Sequence, residues 1–376
     1  MPWDLIRFIL AVILITALFG WYALFPTQTV HSDRKAEGKT MGTHYTVKVF
    51  QFPITVSANS PADNDKVNAP WKKLAEEIQN EFDRIDNLMS TYKSDSEVGR
   101  FNRSESAEWF EVSPETAEVI ALALEIAELS SGAFDITVAP LVDIWGFGPG
   151  IPAVGLEELK AKTEEAKSKT GYANLEVRRG SSSQKPAIKK ALPELTIDLS
   201  GIAKGYAADA VGKLLEKKKL TNYMVEVGGE VRCSGNKGTM GEWNIGIEKP
   251  LLTEEKNEFT GLQRELPLKN MSLATSGGSH NYRIIDGKYF SHTIDPRTGF
   301  PVELFSETEG KPDFNIGSVS VLDRACARAD ALATAFIVLG EKEGLALAEK
   351  EKIPVLYLLR SKDNSITERA SSYFPK

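Results

Sequence analysis

The sequence predicts an α+β fold with a mainly antiparallel sheet and flanking helices. Segments patterned as strands and segments patterned as helices come in mixed order, without the strict alternation of parallel-sheet proteins. Several neighbouring strands are joined by short turns that favour hairpins, such as Asp286-Gly287 and Asp363-Asn364. The chain has 376 residues, of which 42% are hydrophobic, so it can bury a substantial core.

The N-terminal half is predicted to hold one strand and three helices. Apolar and polar residues alternate from Tyr45, which predicts a half-buried strand, and residues 51–70 are rich in Pro, Ser, Asn and Asp, which predicts a loop. A helix over Trp71 to Met89 carries an apolar stripe at helical spacing, and a polar loop follows over 90–98. The other predicted helices cover 113–130 and 156–170, with a charged loop over 178–190.

The C-terminal half is predicted to be richer in strands. Residues 195–200 read as a strand that runs through Gly201 into a helix ending near Leu215. A glycine pair, Gly228-Gly229, separates two strands and is consistent with a bulge. The remaining predicted elements are strands over 243–248 and 282–285, a helix over 327–339, and strands over 355–359 and 365–369.

The first residues predict a membrane segment or a signal sequence. Phe8 to Phe25 is an uncharged run of eighteen residues between Arg7 and the polar stretch 31–35, close to the minimum for crossing a bilayer. No clean cleavage site is evident and no cysteine follows the run to accept lipid, so we favour an uncleaved anchor. We therefore expect an anchor and linker over residues 1–37 and one catalytic domain over residues 38–376.

Charge and cysteine content argue against a nucleic-acid role and give no sign of a zinc site or a disulfide framework. A net charge of -7 leaves no basic stripe to neutralise phosphates, which argues against a general nucleic-acid role. Only two cysteines occur, Cys233 and Cys326, without CxxC spacing or a nearby histidine. Neither a zinc site nor a disulfide framework is indicated, and both residues are expected to be small and buried, with their pairing left open.

The segment from Phe290 to Gly299 carries the first candidate chemistry. His292 and Asp295 stand three residues apart just before Pro296, which disfavours a helix for the residue ahead of it. Thr298-Gly299 then reads as a turn. Polar side chains are therefore expected at the end of a strand, beside a tight turn.

The predicted helix over 327–339 carries a second candidate site. Asp330 and Thr334 lie one helical turn apart, away from the apolar face that holds Leu332 and Phe336. Two hard oxygen donors without a soft ligand nearby suit magnesium. A solvated helix face with an incidental hydroxyl is the alternative, and in either case we expect this face to be exposed.

Two glycine-containing segments suggest close approach of the backbone to a ligand. Glycines surround aromatic residues between Gly132 and Gly148, a pattern that fits either contact with a flat group or a well-packed core corner. The junction at Gly201 would offer backbone amides and a helix N-terminus to an anion.

Taken together, these ordered segments closely resemble the ApbE family of FAD:protein FMN transferases, from about Gly38 to the C-terminus. The matching blocks are Met41-Gly42-Thr43, Ser90-Thr91-Tyr92, Ser96-Glu97, Arg100-Phe101-Asn102, 132–145, 198–209, Val227-Gly228-Gly229, Thr275-Ser276-Gly277, 292–299 and 330–334.

The resemblance implies an enzyme that cleaves the pyrophosphate of FAD, attaches FMN through its phosphate to a threonine of a partner protein, and releases AMP. It implies Mg²⁺ held by Asp330, Thr334 and the backbone carbonyl of Gly201. His292 matches a histidine proposed to act in catalysis, and Asp295 would either orient that histidine or bind the metal at the phosphate. The positions that match FAD-binding residues are Met41, Tyr92, Ala133, Phe134, Asp135, Asp198 and Lys204.

The resemblance also implies a partner and a location. Family acceptors are flavoprotein subunits of the sodium-pumping NADH:quinone reductase (Nqr) or the related Rnf complex, which places the catalytic domain in the periplasm and the anchor in the inner membrane. Two other functions share the same site residues. One is an FAD pyrophosphatase that releases FMN and AMP to water, and the other is a membrane-tethered flavin carrier that returns FAD intact.

Overall fold

The computed structural model describes residues 27–57, 64–148, 155–251, 259–278, 281–305, 314–361 and 363–376, together with residues 3, 7, 10 and 14. Its strands are β1 (Thr27–Thr40), β2 (Thr43–Ser57), β3 (Phe110–Glu111), β4 (Leu175–Arg178), β5 (Ala187–Lys190), β6 (Tyr223–Val227), β7 (Glu230–Ser234), β8 (Trp243–Glu248), β9 (Leu262–Leu268), β10 (Met271–Gly277), β11 (Tyr282–Ile285), β12 (Lys288–Ile294), β13 (Pro301–Phe305), β14 (Phe314–Asp323), β15 (Val355–Ser361) and β16 (Ile366–Ala370).

Helices connect these strands, and local side-chain capping is present where the helices after Ser96 and Ser113 begin. Ser113 accepts a hydrogen bond from the Thr116 backbone N–H, and Pro114 occupies the first turn of the helix that follows. The longest C-terminal helix is kinked at Gly340, where φ is +80°. The helices are α1 (Asn64–Met89), α2 (Glu97–Arg103), α3 (Pro114–Leu129), α4 (Ala139–Ile144), α5 (Leu156–Lys167), α6 (Ala203–Lys217) and α7 (Cys326–Glu351).

The predicted membrane segment, Phe8 to Phe25, lies outside the described residues apart from Leu10 and Leu14. Within the described ranges, no helix combines the length and the apolar character needed to cross a bilayer. The anchor stays a prediction.

An eight-stranded sheet in the order β1-β2-β6-β7-β10-β14-β15-β16 forms the centre of the fold. Each neighbouring pair in it is antiparallel. Smaller antiparallel sheets are β11-β12-β13, β3-β5-β4 and the β8-β9 hairpin. The predicted α+β class with a mainly antiparallel sheet is therefore confirmed.

Apolar residues on the two faces of the sheet bury against different layers, because successive side chains of a strand point to opposite sides. Val225 of β6 belongs to the large core that α1, α6 and α7 share. Its neighbour Met224 points to a second core, where the β8-β9 hairpin contributes Trp243 and Ile245. Cys326 lies in the first core and Cys233 in the second, so the predicted burial of both is confirmed, and the pairing that the sequence left open is absent because both are free thiols.

Two predicted loops contain strands instead. Over residues 51–70, β2 continues to Ser57 and α1 begins at Asn64, while 58–63 lie outside the described residues. Pairing with β1, a strand that was not predicted, explains the extension, because it lets Phe52 and Ile54 become buried despite the polar composition around them. Over 178–190, residues from Ala187 form β5 between β3 and β4. Strand partners distant in sequence thus override local composition.

Two predictions around the site also need correction. Residues 195–200 alternate as a strand would, but they form no ladder; the Asn102 side chain instead donates to the Ile197 carbonyl and accepts from its N–H, each at 2.8 Å. The Gly228-Gly229 pair is a tight hairpin turn between β6 and β7 rather than a bulge, since both glycines have positive φ, +59° and +105°.

Candidate active site

A cavity of about 680 Å³ lies where α6, α7, β10, β12 and the β8-β9 hairpin meet. Residues that are far apart in the chain, between positions 92 and 334, line this cavity. Met41, in the turn between β1 and β2, and Asp295 do not line it. The predicted residues that do line it are Tyr92, Ala133, Phe134, Asp135, Asp198, Gly201, Lys204, His292, Asp330 and Thr334.

Asp330 is buried, with only 2% of its surface exposed. The prediction that its helix face is exposed is therefore wrong for this residue. The Gly205 N–H, in the first turn of α6, donates to Asp330 Oδ2 at 3.0 Å. In return, the N–H groups of Cys326 and Ala327, at the start of α7, donate to the two carboxylate oxygens of Asp209, each at 3.0 Å. Each helix therefore caps the N-terminus of the other, which places Asp330 beside Lys204.

The three residues predicted to bind magnesium converge. Thr334 is half-buried one turn after Asp330, and its hydroxyl lies 3.1 Å from Ser276 Oγ. Gly201 approaches so closely that a Cβ there would stand 3.3 Å from Thr334 Oγ1 and 3.2 Å from the Phe134 ring. In the described part of the chain, no group of three or more His, Cys, Asp or Glu side chains is arranged to hold a metal. A donor set of one carboxylate, one hydroxyl and one carbonyl suits Mg²⁺, which takes its remaining oxygens from water and phosphate.

An ion pair between half-buried Lys204 and buried Glu230 adjoins these donors. Lys204 Nζ lies 3.3 Å from Glu230 Oε1 and 3.4 Å from the Ser200 carbonyl, and Glu230 is 3% exposed. Burial raises the pKa of both Glu230 and Asp330. Although desolvation opposes it, the two carboxylates hold the pKa of Lys204 above its usual value. When both acids are ionised, the two carboxylates outnumber the one ammonium, so a bound divalent cation would stabilise their charged forms.

His292 presents a defined tautomer. Its Nδ1 lies 3.1 Å from the backbone carbonyl of Asn281, which also accepts the His292 N–H at 3.2 Å. A carbonyl oxygen can only accept, so Nδ1 carries the proton and Nε2 keeps its lone pair. The ring is open to the cavity yet surrounded by protein, and this desolvation lowers the pKa of His292 below its usual value. A neutral imidazole at pH 7 is therefore available as a base.

Asp295 is bound within its own turn. Its carboxylate accepts the Nε–H of Arg297 at 3.0 Å and the backbone N–H of Arg297 at 2.9 Å. Nδ1 of His292 meets the Asn281 carbonyl instead of this carboxylate. The geometry thus gives Asp295 a role in holding the turn that follows β12.

The remaining predicted residues form the cavity wall. Asp135 is buried and accepts from the backbone N–H groups of Thr137 and Tyr172, each at 2.8 Å, so its carboxylate fixes the backbone beside Ala133 and Phe134. Asp198 accepts the Ser200 N–H at 2.8 Å and so fixes the backbone that leads into Gly201. Tyr92 is 67% exposed, and its ring is available at the wall for stacking.

Sequence reasoning missed several residues of the wall. Glu230 directly follows the Gly228-Gly229 block, and Ser276 lies inside another matching block, yet neither was assigned a role. Ser318, on β14, is buried and its hydroxyl has no hydrogen-bond partner among the described residues. Residues 246–250 of the β8 region also line the cavity, and their strand pattern carried no sign of a site.

Comparison with known proteins identifies the family of the chain. A sequence model of the ApbE family matches residues 41–357. The chain is 38% identical over 354 residues to the FAD:protein FMN transferase of Vibrio cholerae serotype O1, covering 93% of this chain and 92% of the relative. It is 35% identical over 328 residues to the FAD:protein FMN transferase of Escherichia coli K12, covering 87% of this chain and 84% of the relative.

Solved structures show the same fold. The flavin transferase ApbE from Vibrio cholerae matches with a TM-score of 0.72 at 35% identity, covering 92% of this chain and 98% of that chain. The apo form of the Pseudomonas stutzeri flavinyl transferase ApbE also matches with a TM-score of 0.72, at 30% identity, covering 92% and 96%. The fold and the relatives show that the protein is an enzyme of the transferase class. The chain belongs to the ApbE family.

Proposed function

We propose that this chain is a Mg²⁺-dependent FAD:protein FMN transferase, which moves FMN from FAD to a threonine of an acceptor protein and releases AMP. One observation supports this best: cation donors, a half-buried lysine and a neutral histidine line one cavity large enough for an extended ligand. The relatives from Vibrio cholerae and Escherichia coli are named as enzymes of this reaction.

Phosphoryl transfer needs the charge of the diphosphate to be neutralised and the phosphorus to be positioned. The Lys204 ammonium, fixed by Glu230, supplies one positive charge at the cavity wall. Asp330, Thr334 and the carbonyl of Gly201 would hold Mg²⁺, which when bound screens the diphosphate and makes its phosphorus more electrophilic. Tyr92 and Phe134 offer aromatic surface to the rings of the substrate.

His292 supplies the base. Its Nε2 takes the proton of the acceptor threonine as the threonine oxygen bonds to the phosphorus of the FMN half. The bond between that phosphorus and the bridging oxygen breaks, and the bridging oxygen leaves with AMP. Because Nδ1–H is engaged by the Asn281 carbonyl, the ring stays oriented while Nε2 gains a proton.

We extend the proposal to partner and place. Acceptor subunits of the Nqr or Rnf type and a periplasmic catalytic domain are supported by the family resemblance, and an anchor in the inner membrane is supported by the uncharged run from Phe8 to Phe25.

The test incubates the purified enzyme with FAD, MgCl₂ and an Nqr-type acceptor subunit. Covalent flavin is read as fluorescence of the denatured acceptor band and as an FMN-phosphoryl adduct in its mass spectrum. An acceptor whose target threonine is replaced by valine is the control and should stay unlabelled. Release of FMN and AMP without labelling would instead indicate a pyrophosphatase, and unchanged FAD would indicate a carrier.

A further inference from the structure

Glu230 has a carboxylate oxygen that the protein leaves unsatisfied. The residue begins β7 directly after the Gly228-Gly229 turn, is 3% exposed and lines the cavity. Its Oε1 lies 3.3 Å from Lys204 Nζ, whereas Oε2 has no hydrogen-bond partner among the described residues. A buried oxygen of this kind is costly to leave unpaired, so a group bound in the cavity is expected to complete it.

The surrounding charge indicates which kind of group. The charged side chains that act on Glu230 are Lys204 and Asp330, so this corner holds two carboxylates and one ammonium when both acids are ionised. An anion such as a diphosphate oxygen would be repelled by Oε2. A neutral donor would pair the oxygen but leave the excess of negative charge. A cation would both interact with the unpaired oxygen and balance the excess of negative charge.

We propose that Glu230 is a positioning carboxylate of the divalent-cation site, with Oε1 fixing Lys204 and Oε2 facing the hydrated cation held by Asp330 and Thr334. This inference rests on the proposed function, because it takes the magnesium site from it. The carboxylate adds negative charge and an acceptor for water in the coordination shell, and such outer partners change metal affinity about 10- to 100-fold.

The experiment measures Mn²⁺ binding to the full-length protein without FAD, by the electron paramagnetic resonance signal of free Mn²⁺. Glu230→Gln keeps the size of the side chain and a carbonyl oxygen for Lys204, and is expected to weaken binding about 10-fold or more with an unchanged melting temperature. The control is Glu176→Gln, which alters an exposed carboxylate 4.0 Å from Lys189, outside the cavity, and should bind as the wild type does.

A second variant has the opposite expected sign. Lys204→Met removes the internal counter-ion of Glu230 and should tighten Mn²⁺ binding in the absence of FAD. Unchanged or weaker binding by Lys204→Met, or wild-type affinity in Glu230→Gln, would overturn the role of Glu230. A wild-type protein that binds no Mn²⁺ would instead remove the metal site of the proposed function, and the role of Glu230 with it.

Discussion

At the scale of single residues, the protonation states in the cavity follow from a few contacts. One carbonyl, that of Asn281, determines which nitrogen of His292 carries its proton. Desolvation by the surrounding protein then favours the neutral ring, and the charged groups of Asp330, Glu230 and Lys204 are likewise partly removed from water. Desolvated charged groups are typical of sites that bind charged ligands, because the bound ligand interacts with the groups that the protein leaves unpaired.

Replacing His292 with alanine should slow covalent flavin transfer by roughly two to four orders of magnitude, the usual contribution of a general base. FAD affinity should change little, because the ring contributes a proton acceptor rather than a charge. Single-turnover labelling of the acceptor measures the rate, and quenching of flavin fluorescence measures binding. Near-normal turnover combined with loss of FAD binding would assign His292 to the scaffold.

The pH dependence of the reaction should reflect the lowered pKa of His292. A base acts when unprotonated, so the rate falls only as pH drops through that lowered value. The acidic limb of kcat/KM should therefore have its midpoint below about 6.5, the ordinary histidine value. In His292→Ala this limb should disappear, whereas a limb that persists would show that another group titrates.

Substitutions at Asp330 should separate charge from structure. Asp330→Asn keeps an acceptor for the Gly205 N–H and should fold normally while losing Mg²⁺-dependent transfer. Asp330→Ala should lose transfer as well and also unfold more easily, by about 1–3 kcal/mol, because a buried N–H is left unpaired. Activity and urea denaturation together test this, with Thr334→Ser as the mild control that keeps a hydroxyl. Normal turnover of Asp330→Asn at ordinary magnesium would contradict the metal assignment.

At the scale of elements, the pair α6 and α7 builds the charged corner of the site. The two helices exchange N-terminal caps through Asp209 and Asp330, and they approach closely because residue 205 is glycine. A Cβ at Gly205 would lie 2.8 Å from the Ala327 Cα and would collide with the Cys326 carbonyl. The spacing of Lys204 and Asp330 therefore depends on a contact between backbones.

Gly205→Ala should force the two helices apart and destabilise the protein by about 1–3 kcal/mol, as overpacking usually does. Mn²⁺ affinity should fall with it, because Asp330 moves away from the first turn of α6. The matched substitution is Gly155→Ala, at a glycine with nothing within 4 Å of the added carbon, and it should have the smaller effect. Equal melting temperatures for the two variants would contradict the close-approach argument.

At the scale of the whole molecule, one antiparallel sheet separates two cores and carries the site at the end of its middle strands. Strands β7, β10 and β14 contribute Glu230, Ser276 and Ser318 to the cavity, while the helices on one face supply Lys204 and Asp330. The edge strand β1 begins at Thr27, ahead of the predicted domain start at residue 38, and buries Ala36.

Removing residues 1–26 should give a protein that is soluble without detergent and still transfers flavin, because the deletion ends before β1. Removing residues 1–40 should lower the melting temperature and promote aggregation, since it deletes β1 and leaves β2 as an unpaired edge. Sedimentation, thermal melting and acceptor labelling compare the two proteins. Aggregation of the shorter deletion would show that the apolar run packs on the catalytic domain.

Sequence patterning by itself determined the fold class, the helix that carries Asp330 and Thr334, and the hairpins around Asp286 and Asp363, because local periodicity and turn chemistry are properties of neighbouring residues. The ordered motifs likewise indicated the family and most of the cavity wall. Only the tertiary structure decided that β1 pairs with β2, that Asp330 is buried as a helix cap, and that Glu230 stands beside Lys204. Those features depend on segments far apart in the chain, whose contacts leave no local pattern.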